Sequence, residues 1–582
     1  MKTLPPVDVA IVGGGWTGLT MAKELATRTP LKILVLERGG PRKTRDYLDN
    51  MDELDYAVRL RMMQPIRDET VTFRHTPRDR ALPIRQYGSF LPGTGVGGSG
   101  EHWSGISYRY YPHDFRRLSH LVEKYGRSRL PEDCSIRDWP LSYGDLEPYY
   151  ERAEQMMGIS GKAGNLGGHQ VEGGNIFEGP RRSEYPTPPM KLPHLAALFR
   201  DATRSLGYHP FPLPAATTSV PYTNPDGIAR AGCSFCGYCE RFGCMIGAKA
   251  QPTNTLMPVL ARRPNFELRT GAWVRRLAVN DGHARGVHYI DSRGEEFFQP
   301  ADLIFLASWT LNNTRLLLLS GVGEAYDPET GRGTVGRNLT HQVTISAATV
   351  FFEKPLNGFM GAGSAGVAIG DFETLDHTNL DFVTGGALYT VCYGTRPIAN
   401  FGVLPPGAGG AKWGSDWKKA ALHYYDRTGL VRFYGEHPAY RANYMDLDPI
   451  YRDRHGDPLL RLTLDWRPNE RKMVDFMTGQ ATRIAKAMGA VEIASFQGLK
   501  HYEATRYQGT HIQGGTIIGA NDTDSVVNMY LQHWRVPNLF VLGASAFPQN
   551  PSGNPTLTAV ALTNRTADAV IQRYLKHPGE LA

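Results

Sequence analysis

The sequence predicts an α/β fold, a discontinuous Rossmann-like nucleotide-binding domain that encloses a second, α+β domain. Three observations predict it. The chain opens on a buried-strand pattern, a glycine fingerprint and a helix. Its far end, NLFVLGASAFPQNPSGNPTLTAVALTNRTADAVI (538–571), returns to a strand, a glycine, a loop and a helix. Between them, residues 346–504 change character: TISAATVFFEK, LDFVTGGALYTV and LRLTLDW are strand-like, and RKMVDFMTGQATRIAKAM is an amphipathic helix. That helix carries Met473, Phe476, Met477, Ile484 and Met488 on one face.

From the N-terminus, VDVAIV (7–12) reads as the strand, Gly13-Gly14-Gly15-Trp16-Thr17-Gly18 as the turn, and LTMAKELA as the helix start. Gly13 closes the tight bend, Gly15 lets the backbone approach a pyrophosphate, and Gly18 lets helix pack on strand. The helix N-terminus then faces the phosphate charge. A second strand, KILVLE, ends at Glu37, placed to accept a hydrogen bond from a ribose hydroxyl. NAD and FAD both satisfy this pattern. Within RQYGSFLPGTGVGGSGEHWSGISYR (85–109), a second glycine-rich loop runs from Gly93 to Gly100 and includes Gly97 and Gly98. It is flexible enough to lie against an isoalloxazine ring and ribityl chain. TGAWVRRLAV (with Val274), GVHYID and ADLIFLAS read as further strands of the same domain.

The bulk numbers bound the function. With 582 residues the chain has room for more than one packed region, and 64 glycines and 40 prolines point to long, shaped loops. The net charge of +7 is spread without a basic block, so nucleic acid is not an expected partner. No apolar stretch approaches the roughly 18 residues of a membrane span. MKTLPPVDVAIVGGG runs straight into glycines, so no signal peptide is expected, and export would rely on another subunit.

Residues 233–244, CSFCGYCERFGC, hold four of the six cysteines at the spacing Cys233-x2-Cys236-x2-Cys239-x4-Cys244. Disulfides between such neighbours would close tiny loops and contribute little entropic stabilisation. A structural zinc site usually draws its ligand pairs from two separate places in the chain. Three thiols at x2 intervals followed by a fourth are like a ferredoxin-type run. Spacing alone leaves iron–sulfur, and zinc with free thiols, both open. Cys134 and Cys392 have no partner in sequence and are expected to be core thiols.

GGGWTG, the GTGVGGSGEHW loop, VGRNL (335–339) and SGNPTLT together resemble the glucose–methanol–choline (GMC) oxidoreductases, from end to end of the chain. The resemblance is closest to the subgroup of gluconate 2-dehydrogenase flavoproteins, fructose dehydrogenases and FAD-dependent glucose dehydrogenases. It implies an FAD-binding domain over 1–345 and 505–582 and a substrate-binding domain over 346–504, whose antiparallel sheet would roof the flavin. It also implies a flavin-facing role for Gly543 and Ala544, and tips the cysteine loop toward iron–sulfur. Members of the subgroup hold a three-iron cluster by three cysteines, which implies Cys236, Cys239 and Cys244 as ligands, Cys233 as the spare, and 3Fe-4S rather than 4Fe-4S. His102, in GEHW beside Trp103, occupies the place where some members bond the flavin 8α-methyl covalently; the alternative is a histidine packing on the ring.

Oxidising an alcohol with a flavin requires a base from the protein for the hydroxyl proton. In the resembling family the base lies in the loop GTHIQGGTIIG, which implies His511, and its partner follows the last strand, which implies Asn554. An imidazole suits a base at neutral pH, and an amide can orient the substrate oxygen. His533 is expected to be structural. The function expected is an FAD-dependent dehydrogenase of a sugar or sugar acid that passes electrons through the cluster to a cytochrome or quinone. A small chaperone-like subunit and a cytochrome c subunit are the expected partners, with a periplasmic or membrane-associated location through them, or a cytoplasmic one. A glycoside 3-dehydrogenase is the alternative on the same frame, and a catalytically silent electron-transfer subunit is the alternative from another class.

Overall fold

The computed structural model describes every residue except 49–51, 87–89, 360, 393–395, 411, 507–508 and 582. The strand Val7–Val12 buries Val9, Ala10 and Ile11 completely, as a strand covered on both faces must. It pairs in parallel with Ile33–Glu37, which pairs in parallel with Phe266–Thr270. On its other side runs Glu296–Leu306, whose first half joins an antiparallel meander with His283–Ile290 and Trp273–Asn280. The second half of Glu296–Leu306 pairs in parallel with Val7–Val12 and with Leu539–Val541 from the far end of the chain. The parallel strands therefore end together at Gly13, Glu37, Ala307 and Leu542, the edge where ligands bind in open α/β sheets.

The second sheet has six strands in the order Glu492–Ser495, Val343–Phe351, Thr428–Gly435, Gly386–Cys392, Ala362–Ile369 and Pro210–Pro212, antiparallel throughout. The edge strand Pro210–Pro212 lies far outside residues 346–504, so the N-terminal part of the chain contributes directly to this sheet. A four-stranded sheet likewise joins Tyr444–Arg452 and Pro458–Thr463 to Val71–Arg74 and Leu82–Pro83. The helix Pro468–Ala487 covers the six-stranded sheet with Met473, Met477 and Ile484 fully buried and Met488 nearly so; Phe476 sits at the margin. Along Thr428–Gly435 the two-residue period sends Val431 and Phe433 into that core and turns Arg432 and Tyr434 to the opposite face.

Cys134 and Cys392 are half-buried rather than core thiols, and Cys392 Sγ donates to the Gly358 carbonyl at 3.0 Å. Among the described residues, no helix is long and apolar enough to cross a membrane.

Candidate active site

One cleft runs from the ends of the parallel strands to the face of the six-stranded sheet that carries Arg432 and Tyr434. At the nucleotide end, Gly15 caps the helix Trp16–Arg28 at φ −90°. A Cβ on Gly15 would approach no protein atom closer than 4.0 Å. Neither strain nor packing asks for glycine there; the cleft does, because a side chain would fill the space a pyrophosphate needs against the backbone. Gly18 differs: a Cβ there would overlap the Gly13 carbonyl, so Gly18 serves helix–strand packing and stays out of the lining. The Glu37 carboxylate accepts from the backbone N–H of Gly14 at 2.9 Å, Gly39 at 2.8 Å and Gly95 at 3.2 Å. It thereby ties both glycine loops together, and Glu37 lines the cleft.

The loop carrying Gly97, Gly98, His102 and Trp103 is anchored from behind by two buried ionisable side chains, Glu101 and Lys249. Glu101 accepts from Tyr47 Oη at 2.7 Å, Gln251 Nε2 at 2.7 Å, and the N–H and hydroxyl of Thr253 at 3.1 and 2.8 Å. Burial raises its carboxyl above the ordinary range. Lys249, fully buried, donates to four carbonyls: Glu101 at 3.1 Å and Trp103, Cys239 and Phe242 at 2.8 Å each. His102 lines the cleft, and its Nε2 is buried without a hydrogen-bond partner. Burial first, then the charges of Lys249 and Arg42, lower its pKa to about 3. Trp103 packs edge-on against Trp16 with ring centroids 5.6 Å apart. Val274, Gly543 and Ala544 complete the wall.

At the other end, His511 is held on both ring nitrogens. Nδ1 lies 2.7 Å from Gln342 Oε1, and Nε2 lies 3.1 Å from Asn554 Nδ2. The Gln342 amide has one workable orientation, because its Nε2 donates to the carbonyls of Pro551, Ser552 and Gly553 at 3.0, 2.5 and 3.2 Å. Its Oε1 must then accept, so the proton of neutral His511 sits on Nδ1 and Nε2 offers a lone pair to the cleft. Burial, with His341 as the lesser cause, lowers the His511 pKa to about 3. His341 in turn bonds Tyr502 Oη at 2.7 Å and the Gly509 carbonyl at 3.1 Å, which fixes the start of the His511 loop. Asn554 caps the helix Pro555–Ala569, and its Oδ1 is buried without a partner. The Tyr434 ring stands 5.7 Å from that of His511 and closes the roof with Thr344 and Arg432.

The four clustered cysteines lie behind the His102 loop, outside the cleft lining. The Arg241 N–H donates to the His102 carbonyl at 2.6 Å, so the cysteine loop and the His102 loop share a direct bond as well as Lys249. Burial raises Cys233 to about 12 and Cys239 to about 11, with Lys249 opposing the shift at Cys239. Backbone N–H groups of Phe235 and Lys249 point to Cys233 Sγ at 3.4 Å and Cys244 Sγ at 3.5 Å. A tetrahedral zinc with bonds of about 2.3 Å needs its sulfurs about 3.8 Å apart. No three of these thiols meet within 4.8 Å; among the described residues the group that does is His75, Asp465 and His501, near the surface.

Family signatures described as GMC oxidoreductase match residues 221–344 and 438–563. The chain is 43% identical to a gluconate 2-dehydrogenase flavoprotein of Pantoea cypripedii, over 99% of this chain and 95% of that one. The chain belongs to the GMC oxidoreductases. It is also 27% identical to a fructose dehydrogenase large subunit of Gluconobacter japonicus, over 97% of each chain. The crystal structure of a pyridoxine 4-oxidase from Mesorbium loti shares the fold at a TM-score of 0.58 and 17% identity, covering 98% of this chain and all of that one. As a GMC oxidoreductase the protein is an FAD-dependent dehydrogenase acting on CH–OH groups.

Of the residues singled out in the sequence, Gly13, Gly15, Glu37, Gly97, Gly98, His102, Trp103, Val274, His511, Gly543, Ala544 and Asn554 share the one cleft. His533 lies outside it, buried, with Nδ1 accepting from the Arg535 N–H at 3.1 Å. Gln342, Tyr434, Arg432 and Lys249 were not legible, since no local motif marks them. Because Nε2 needs no deprotonation above about pH 3, substrate-driven flavin reduction should stay flat from pH 8 down to about pH 5. An unshifted histidine base would instead lose half its rate near pH 6.5. Single-turnover flavin bleaching across that range checks this, and an acid limb centred near 6.5 contradicts it.

Proposed function

We propose that the protein oxidises a hydroxyl group of a sugar acid of the gluconate type, with His511 as general base, and delivers the electrons through an iron–sulfur cluster to a cytochrome partner. The observation that carries this reading is His511 Nε2, kept unprotonated by the Gln342 bond to Nδ1 and opening on a cleft whose far end suits a dinucleotide. The relative named as a gluconate 2-dehydrogenase flavoprotein supports the substrate class.

Bound FAD supplies the hydride acceptor. As the hydride leaves the carbinol carbon, Nε2 takes the hydroxyl proton and the carbon–oxygen bond becomes a carbonyl. Gln342 Oε1 stays on the Nδ1–H and stabilises the imidazolium that forms. Asn554 Nδ2, which meets Nε2 in the free site, donates to the substrate oxygen and orients it. His511→Ala should keep FAD bound and lower the rate of flavin reduction by about 100- to 10,000-fold, as loss of a general base does. Near-normal bleaching of the flavin by substrate in that variant refutes the assignment.

His102, with its unpartnered Nε2 in the cleft, fits a covalent link to the flavin. After acid precipitation the flavin should stay with the native polypeptide and be released from His102→Ala. Free FAD in the native supernatant means that His102 only packs on the ring.

Cys236, Cys239 and Cys244, with Cys233 in reserve, are the residues that would hold the cluster. Cys239 and Cys244 are buried and a backbone N–H points to Cys244 Sγ, which suits it, and sulfurs too far apart for one shared ion favour a cluster over a zinc knuckle. Such a cluster would supply one-electron transfer. A cytochrome c subunit and a small chaperone-like subunit are the proposed partners, with a periplasmic or membrane-associated location through them; the relative named as a large subunit supports an assembly. Cys239→Ser should retain substrate-driven flavin bleaching and activity with a small dye, while iron content and transfer to a cytochrome fall sharply. Zinc without iron or acid-labile sulfide in the native chain sinks the relay.

A further inference from the structure

His75, Asp465 and His501 meet outside the cleft lining. Strand pairing brings the first two side by side. Val71–Arg74 and Pro458–Thr463 run in parallel with Arg74 opposite Thr463, and the Leu464 N–H donates to the Arg74 carbonyl at 3.1 Å. The chain therefore leaves both strands at the same end, at His75 and at Asp465. His501 is delivered by its neighbour Tyr502, whose backbone is fastened to both. The Tyr502 N–H donates to Asp465 Oδ1 at 2.8 Å, and the Tyr502 carbonyl accepts from His75 Nε2 at 2.8 Å. One ring nitrogen of each histidine and one Asp465 oxygen then lie within 4.8 Å of one another.

The outer partners of these side chains are those that metal ligands take. A carbonyl can only accept, so the His75 proton sits on Nε2 and Nδ1 keeps its lone pair. A ligating histidine commonly gives its other N–H to a carbonyl in this way, which fixes both tautomer and ring. Asp465 Oδ1 is occupied by the N–H groups of Trp466 at 2.9 Å and Tyr502, which turns Oδ2 to His501 Nδ1 at 2.7 Å. Asp465 is only 8% exposed while the His501 side chain is 67% exposed, so an ion has a route in from solvent. Tetrahedral bonds of about 2.1 Å place donors about 3.4 Å apart, a separation that rotation of the exposed His501 ring can reach. The His501–Asp465 bond yields to the ion, and the neutral imidazole then carries its proton on the nitrogen that faces away.

We propose that His75, Asp465 and His501 bind one divalent transition-metal ion of the zinc class. Two imidazoles and one carboxylate suit such an ion, with water in the fourth position; calcium and magnesium call for more oxygen ligands. The ion closes three segments that lie far apart in the chain. One of them carries Tyr502, whose hydroxyl holds His341 at 2.7 Å, so the ion also braces the support of the His511 loop.

The test titrates the flavin-loaded full chain with zinc by calorimetry and with cobalt(II) by its visible spectrum. Zinc should bind the native chain and raise its melting temperature, because an ion held only by the folded state stabilises it. Cobalt should give a spectrum of nitrogen and oxygen ligation without thiolate charge-transfer bands, which separates this site from the cysteine loop. His501→Ala removes an exposed ligand and should still fold with flavin bound. It should weaken zinc binding by more than the roughly 100-fold that loss of an outer partner can cost. His75→Gln should do the same, and it should abolish the zinc-dependent rise in melting temperature. No zinc binding by the native chain, or equal binding by the native chain and both variants, overturns the site. A cobalt spectrum of thiolate ligation alone, or calcium bound in preference to zinc, overturns it as well.

Discussion

The ammonium of Lys249, closed in by four backbone carbonyls, is the constraint on which the site depends. It joins the loop of Glu101, His102 and Trp103 to the loop of Cys239 and Phe242, and it can do so only as a fully satisfied cation. A buried charge left short of partners costs several kcal/mol, so neither loop can move without stranding the ion. Glu101, equally buried, ties the same backbone to Thr253 and Tyr47. The wall of the cleft and the cysteine loop are thus one polar unit, although more than one hundred residues separate them in sequence.

A second constraint governs the proposed base, His511. Where many catalytic histidines lean on a carboxylate, His511 leans on the neutral amide of Gln342. An amide fixes the tautomer as firmly as a carboxylate, because three carbonyls forbid it to turn, yet it adds no charge to favour the imidazolium. The ring therefore stays a poor base in the resting site, with a pKa near 3. Such a base suits a reaction in which the alcohol proton becomes acidic only as the hydride departs.

Much of the fold was legible because local and global signals agree at the N-terminus. Strand, glycine turn, helix and terminal acid all fall within residues 7–37, and the structure keeps them as Val7–Val12, Trp16–Arg28 and Ile33–Glu37. The amphipathic helix was legible for the same reason, its apolar stripe matching the period of a helix on a sheet. The use of Pro210–Pro212 as an edge strand was not, since a three-residue strand of two prolines carries no periodicity and is fixed by its partner Ala362–Ile369. In the site, the motif residues were legible and their supports were not. Gln342 acts through carbonyls at 551–553, and Lys249 through carbonyls at 101 and 103, so their roles exist only once the chain is folded.

The nucleotide end of the cleft balances its formal charge within the protein, and chemistry explains why. At the nucleotide end the arginines are spent on Glu69, Asp453 and Asp457, so formal charge there is balanced within the protein. What remains for a pyrophosphate is backbone: the glycine turn and the N-terminus of Trp16–Arg28. Dipoles held by the fold need no reorganisation, which suits a cofactor that stays in place.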